Sequence, residues 1–260
     1  ARALNNVYTL GGTLTLGHGS KTGLLTLSGA GTIGSATTLT VASAVTLTGV
    51  LGGTASMTKV GSGVLTLSGA NTHSGGMTVS AGSVLVGNNA AFGVGTVAFG
   101  GGTVSSDGTT ARNLSNDHSF GGAVTLGDTT KNGTLTFSGD GSLTANTTLT
   151  TLSAVVLSGV LDGAYTLTKA GAGSLTLGGV NTYTGNTTVS AGSLNIGNDA
   201  ALGTGTLVLS GGTVSSDGTT ARTVGNGISF GGTVTLGDTA KNGALTFSGN
   251  GALTANTVLN

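Results

Sequence analysis

Along most of the chain, short apolar runs alternate with Thr or Ser and close on Gly: AVVLSG, GSLTLGG, GSLNIG, TLVLSGG, GTVTLGD and ALTFSG. Such alternation sends one set of side chains inward and the next outward, which is the period of a half-buried strand and not of a helix. Gly, Asn, Asp and Ser fill the gaps between runs and supply the turns. Several successive runs stand about 19 to 22 residues apart. Short strands and turns in that rhythm predict an all-β chain wound as a β-solenoid, with about 22 residues per coil. At a paired-strand spacing of about 4.8 Å, some twelve coils would make a rod near 57 Å long.

The short rhythm sits inside a longer one. Positions 41–150 align with 151–260 without a gap, and 70 of the 110 pairs are identical. The segment 1–40 matches 111–150 at half of its positions. The chain therefore reads as one continuous solenoid, with a partial repeat at 1–40 and full repeats at 41–150 and 151–260. A string of immunoglobulin-like sandwiches would also suit units of about 100 residues. Such cores want large residues, and the chain has six Phe, three Tyr and no Trp. The absence of Pro between units also argues against separate domains joined by linkers.

Composition sharpens this reading. Gly contributes 52 residues and Thr 49, Pro, Cys, Trp and Glu are absent, and only 6% of positions are charged. Gly costs about 1 kcal/mol per helical position, whereas Thr, Val and Ile suit a pleated surface. Eight Lys and Arg balance eight Asp, so no basic field exists to attract nucleic acid or anionic lipid. No run of about 18 apolar residues is present to insert into a membrane as a helix. Without Cys there is no disulfide or thiolate metal site. The opening ARALNN has neither an initiator Met nor a signal region, and reads as a fragment or mature piece.

The segments LTKAGAGSLTLGGVNTYTGNTTVSAGSLNIG, Leu167 to Gly197, and MTKVGSGVLTLSGANTHSGGMTVSAGSVLVG, Met57 to Gly87, resemble the autotransporter-associated β-strand repeat. The pattern runs through Lys169, Gly171, Gly173, Leu175, Leu177, Asn181, Thr182, Tyr183, Gly185, Val189 and Gly192, with His73 in place of the usual Tyr. The resemblance implies a right-handed parallel β-helix in the secreted passenger of a type V autotransporter or a related giant surface protein. Within the motif, Leu175 and Leu177 should point inward and Thr176 outward. Gly171, Gly173 and Gly185 should allow unusual backbone angles, and Asn181 should hydrogen-bond its own turn or stack on an amide in the next coil.

Candidate chemistry is sparse. His18 aligns with Asp128 and Asp238, His73 with Tyr183, and His118 with Tyr8 and Ile228. A general base or metal ligand does not vanish in this way between copies, so all three read as tolerated surface residues. Asp107 and Asp128 recur as Asp217 and Asp238 inside SSDGTT and GDTTKNG or GDTAKNG, the company of turn residues. Asp140, Asp162 and Asp199 do not recur. The nine-residue calcium-binding period is absent. GHGSKTG at 17–23 lacks a P-loop's Gly-Lys-Ser/Thr step, and Thr-x-Thr triplets such as Thr13 to Thr15 are too irregular in sequence for an ice-binding array. GGTVSSDGTTAR occurs twice, at 101–112 and 211–222. It reads as a strand at Thr103 and Val104, a turn from Ser105 to Gly108, and corner-pinning ion pairs Asp107–Arg112 and Asp217–Arg222.

No catalytic, cofactor-binding or metal residue is assigned, and no cofactor. The expectation is a non-catalytic extracellular or cell-surface β-helix acting as a stalk, fibre or adhesive surface. Its partners would be further repeats of the same chain or copies stacked end to end as filaments, together with cell-surface or matrix glycans. An adhesin with a specific receptor or glycan, or a polysaccharide-acting enzyme built on clustered carboxylates, is the alternative. Ala1 and Asn260 fall at positions that the chain elsewhere runs straight through, so the native chain is expected to continue both ways.

Overall fold

The computed structural model describes residues 1–259 as backbone and, apart from positions 255, 256 and 259, as side chains. The expectation that Asn260 continues a coil path falls outside the described residues. Among these, every regular element is a strand, and the strands stack in parallel register as a solenoid of about 13 turns with a coil spacing of about 20 residues.

Each coil contributes to three faces. The first runs from Arg2–Leu4 through Leu25–Leu27, Val45–Leu47, Val64–Leu67 and Ser83–Val86 to Thr103–Ser106. The second runs along Arg112–Leu114, Leu135–Phe137, Val155–Leu157, Ser174–Leu177 and Ser193–Ile196. The third runs along Met57–Val60, Met77–Val79, Val97–Phe99, His118–Phe120 and Gly141–Leu143. Met57 pairs with Met77 and Met77 with Val97, equal and short steps, whereas the step from Ala123 to its partner Thr148 is longer. The coil proper is thus shorter than the average that the sequence suggests. The surplus goes into lobes at 107–111 and 127–134 that leave the strand path.

The long repeat does not fit a whole number of coils. Thr37–Thr40 pairs with Met57–Val60 on the third face. Its counterpart Thr147–Thr151 instead pairs with Ala123–Leu126, which stacks on Thr103 and Val104 of the first face. One repeat therefore advances a motif by one face, a third of a turn.

Inward positions form a narrow continuous core. Leu65, Leu67, Leu175 and Leu177 are fully buried, while Thr66 and Thr176 between them face outward. Each such Leu contributes about 1.5–3 kcal/mol by burial. Midway along the rod Phe92, Phe99, Phe120 and Phe137 form an aromatic block with ring centroids 5.4–5.9 Å apart.

Two local expectations need correction. The strand that begins at Thr103 continues through Ser106, with Ser105 and Ser106 buried, so the turn starts at Asp107. The lobe folds back here, and Ser106 Oγ donates to Thr110 O at 2.7 Å. Of the motif glycines, Gly171 has φ +76°, but Gly173 and Gly185 keep ordinary angles. They are glycines because a methyl group would collide with the backbone of Ser153 or Tyr165 in the previous coil.

Candidate functional site

The motif segment is organised around a lysine. In the strand Met57–Val60 alternation puts Lys59 on the same inward side as Met57, and Lys59 is fully buried. Lys169 repeats this in Leu167–Ala170. An ammonium has three donors and no acceptor, and each Nζ meets three backbone carbonyls. Lys59 Nζ donates to Val60 O at 3.3 Å, Gly61 O at 2.9 Å and Ala81 O at 2.8 Å. Lys169 Nζ donates to Ala170 O at 2.9 Å, Gly171 O at 2.8 Å and Ala191 O at 2.9 Å. The cage spans two coils and closes only around glycine, because a methyl on Gly82 or Gly192 would lie 2.6 or 2.7 Å from Nζ. Burial pushes both lysines down to about 8. The sequence pattern includes Lys169 without assigning it a role. The alternation M-T-K-V is the signal that could have done so, since it places the lysine inside.

Asn71 and Asn181 bolt three coils together. Asn181 Oδ1 accepts from Leu161 N at 2.8 Å in the coil before, and its Nδ2 donates to Ala201 O at 2.6 Å in the coil after. Asn71 does the same with Leu51 N and Ala91 O. Two residues further on the copies diverge. Tyr183 is fully buried and shares a hydrogen bond with Thr187 Oγ1. His73 is equally buried, and neither ring nitrogen has a partner. His118 is 6% exposed and packs among Phe99, Phe120 and Phe137, so His73 and His118 are core residues and only His18 is exposed. The reason is again alternation, since H-S-F puts His118 on the side of Phe120.

Seven of the eight Asp are tied to backbone amides or to Arg. Asp107 Oδ1 accepts from Arg112 Nη2 at 2.8 Å and Asp217 Oδ1 from Arg222 Nη2 at 3.2 Å, as the sequence suggests. Arg112 Nε also donates to Val86 O at 3.1 Å, which anchors the lobe to the coil beneath. Asp128 Oδ1 accepts from Thr130 N, Thr130 Oγ1 and Lys131 N, and these bonds hold its carboxyl down at about 2. Asp238 accepts from Ala240 N and Lys241 N, and its carboxyl is likewise lowered. Asp199 accepts from Thr223 N at 3.0 Å.

The remaining three acids meet on one side of the rod. Asp117, Asp140 and Asp162 line a shallow groove of about 290 Å³ with Ala98, Ser119 and Ser142. Asp117 Oδ1 accepts from Asp140 N at 3.1 Å and Asp140 Oδ1 from Val160 N at 2.9 Å, so two of the carboxylates form a ladder between successive coils. Among the described residues no group of three or more His or Asp could hold a metal ion. Sequence reasoning misses the groove because 117, 140 and 162 come together only through coil register. No described helix is long and apolar enough to cross a membrane, which says nothing of membrane strands.

The family model of the passenger-associated-transport-repeat matches residues 57–86 and 167–196, the two segments built around Lys59 and Lys169. Comparison with curated proteins and with solved structures gives no match.

Proposed function

We infer that a chain carrying two passenger-associated transport repeats in one unbroken solenoid serves as a non-catalytic structural rod of a secreted or surface-displayed passenger. The observation that carries this reading is the use of the polar residues. Lys59, Lys169, Asn71, Asn181, Asp117, Asp140 and Asp199 meet backbone groups of neighbouring coils and so hold coil to coil, while Asp107, Asp128, Asp217 and Asp238 pin turns and corners. The reading includes a stalk or fibre lengthened by further copies of the long repeat and chains associating end to end through strand edges. Surface display is tested by protease shaving and antibody labelling of intact cells expressing the full-length protein; a chain that stays protected until lysis would sink it. Assembly is tested by electron microscopy and sedimentation over a concentration series. Filaments support the fibre reading, and strictly monomeric rods at high concentration overturn it.

A further inference from the structure

We propose that the coils spanning residues 71–143 form an acid-labile joint in the rod: protonation of His73 and His118, core imidazoles whose counterparts are Tyr183 and Ile228, opens these coils while those at 181–253 stay closed.

Both imidazoles fit only when neutral. His73 has two partnerless ring nitrogens, and a methyl on Gly93 would lie 2.8 Å from Nδ1. The segments packed on it, 51–53, 77–79 and 91–93, contain no titratable side chain. Burial lowers its pKa; the Leu51 carbonyl opposes this without reaching hydrogen-bond geometry. His118 has Nδ1 3.2 Å from Asn116 O, which fits a donated N–H there and a bare Nε2. That Nε2 has no partner and sits over Gly141, where a methyl would lie 2.7 Å away. An imidazolium would bury a second N–H without an acceptor. Burial lowers His118 too, against the raising effects of Asn116 O and of the Asp117 and Asp140 carboxylates. Those two acids, with Asp162, line the groove outside the same strands. A protonated ring released from the core therefore finds carboxylates next to it, and the open state gains a contact that the closed state lacks.

The second unit offers no such response. Tyr183 keeps its hydroxyl on Thr187 and Ile228 does not titrate. A histidine with a lowered folded pKa leaves stability intact above about pH 6.5 and removes it as the pH falls further. Each imidazole should then multiply the local opening constant by up to tenfold per pH unit, on the order of 30-fold at pH 5. Asp128 titrates far below this window.

The test is hydrogen exchange of the whole chain at pH 7.5 and 5, read as protection factors corrected for intrinsic rate. Protection over 71–79 and 116–120 should fall by about 10-fold or more, while 181–189 and 226–230 change little. Equal loss in both units, or loss in neither, overturns the proposal. A variant carrying His73→Tyr, Met77→Thr and His118→Ile uses only side chains that the second unit already accommodates, and it should abolish the difference. Persistent acid loosening in that variant would show that the imidazoles are not the cause. The reverse change, Ile228→His, should make 226–230 acid-sensitive; an unchanged segment counts against the proposal.

Discussion

The repeat at 57–86 and its copy at 167–196 hold the same lysine in the same three-carbonyl cage and the same asparagine between coils. They differ nearby: the second copy pairs Tyr183 with Thr187 through a hydrogen bond, where the first has a partnerless His73 and an apolar Met77. The groups that satisfy backbone atoms are thus the same in both copies, because a coil path leaves the same carbonyls and amides to be met. Side chains that satisfy only one another change together. Asn195 is the exception: it bonds Thr176 Oγ1, Ser215 Oγ and Lys241 Nζ, yet the first copy keeps these partner types as Thr66, Ser105 and Lys131. The counterpart of Asn195 is Leu85, and there Ser105 Oγ is left without a partner.

The comparison breaks most visibly at the lysines. Replacing Lys59 or Lys169 by Met leaves three buried carbonyls unmet, and should destabilise the surrounding coils by about 3 kcal/mol in either copy. Denaturant unfolding read by local exchange measures it, and a large difference between the copies would contradict the shared cage. Tyr183→Phe should cost about 1–2 kcal/mol by orphaning Thr187 Oγ1. The paired change Tyr183→His with Thr187→Met should cost less than the sum of the single changes, a coupling of about 1 kcal/mol.

Alkali sharpens the contrast. The folded lysines, near 8, bind fewer protons than unfolded ones up to about pH 10.5, so stability should rise with pH across that window in both copies. Burial raises Tyr183 above the ordinary tyrosine range. Above about pH 10 the unfolded tyrosine loses its proton first, and the second copy alone should weaken. Exchange in the two segments between pH 8 and 11 tests both signs. The smallest effect is expected at the corners, where Asp107→Asn or Asp217→Asn should change stability by about 0–1 kcal/mol in a thermal melt.

Much of this is readable from the chain. Alternation around Leu175 and Leu177 predicts the strands, and Asp107 placed shortly before Arg112 predicts the corner pair. The same alternation, applied to Lys59 and His118, places both inside. Charge and polarity argue otherwise, and only the cage and the phenylalanine cluster show why the core accepts them. The gathering of Asp117, Asp140 and Asp162 is not readable, because it depends on His118 stacking on Gly141 and Gly141 on Leu161, unequal steps that decide which turns become neighbours.

The advance of one face per repeat has a consequence for any partner. The lobe with Asp107, Arg112, Asp128 and Lys131 is presented in one compass direction, and the copy with Asp217, Arg222, Asp238 and Lys241 is turned from it by a third of the circumference. Extended to more units, the lobes would climb the shaft like steps of a spiral stair and return to the same bearing after three repeats. That is a rise of roughly 77 Å at about 4.8 Å per coil. A flat surface laid along such a shaft could touch only every third lobe, whereas a partner wrapped around it could touch them all.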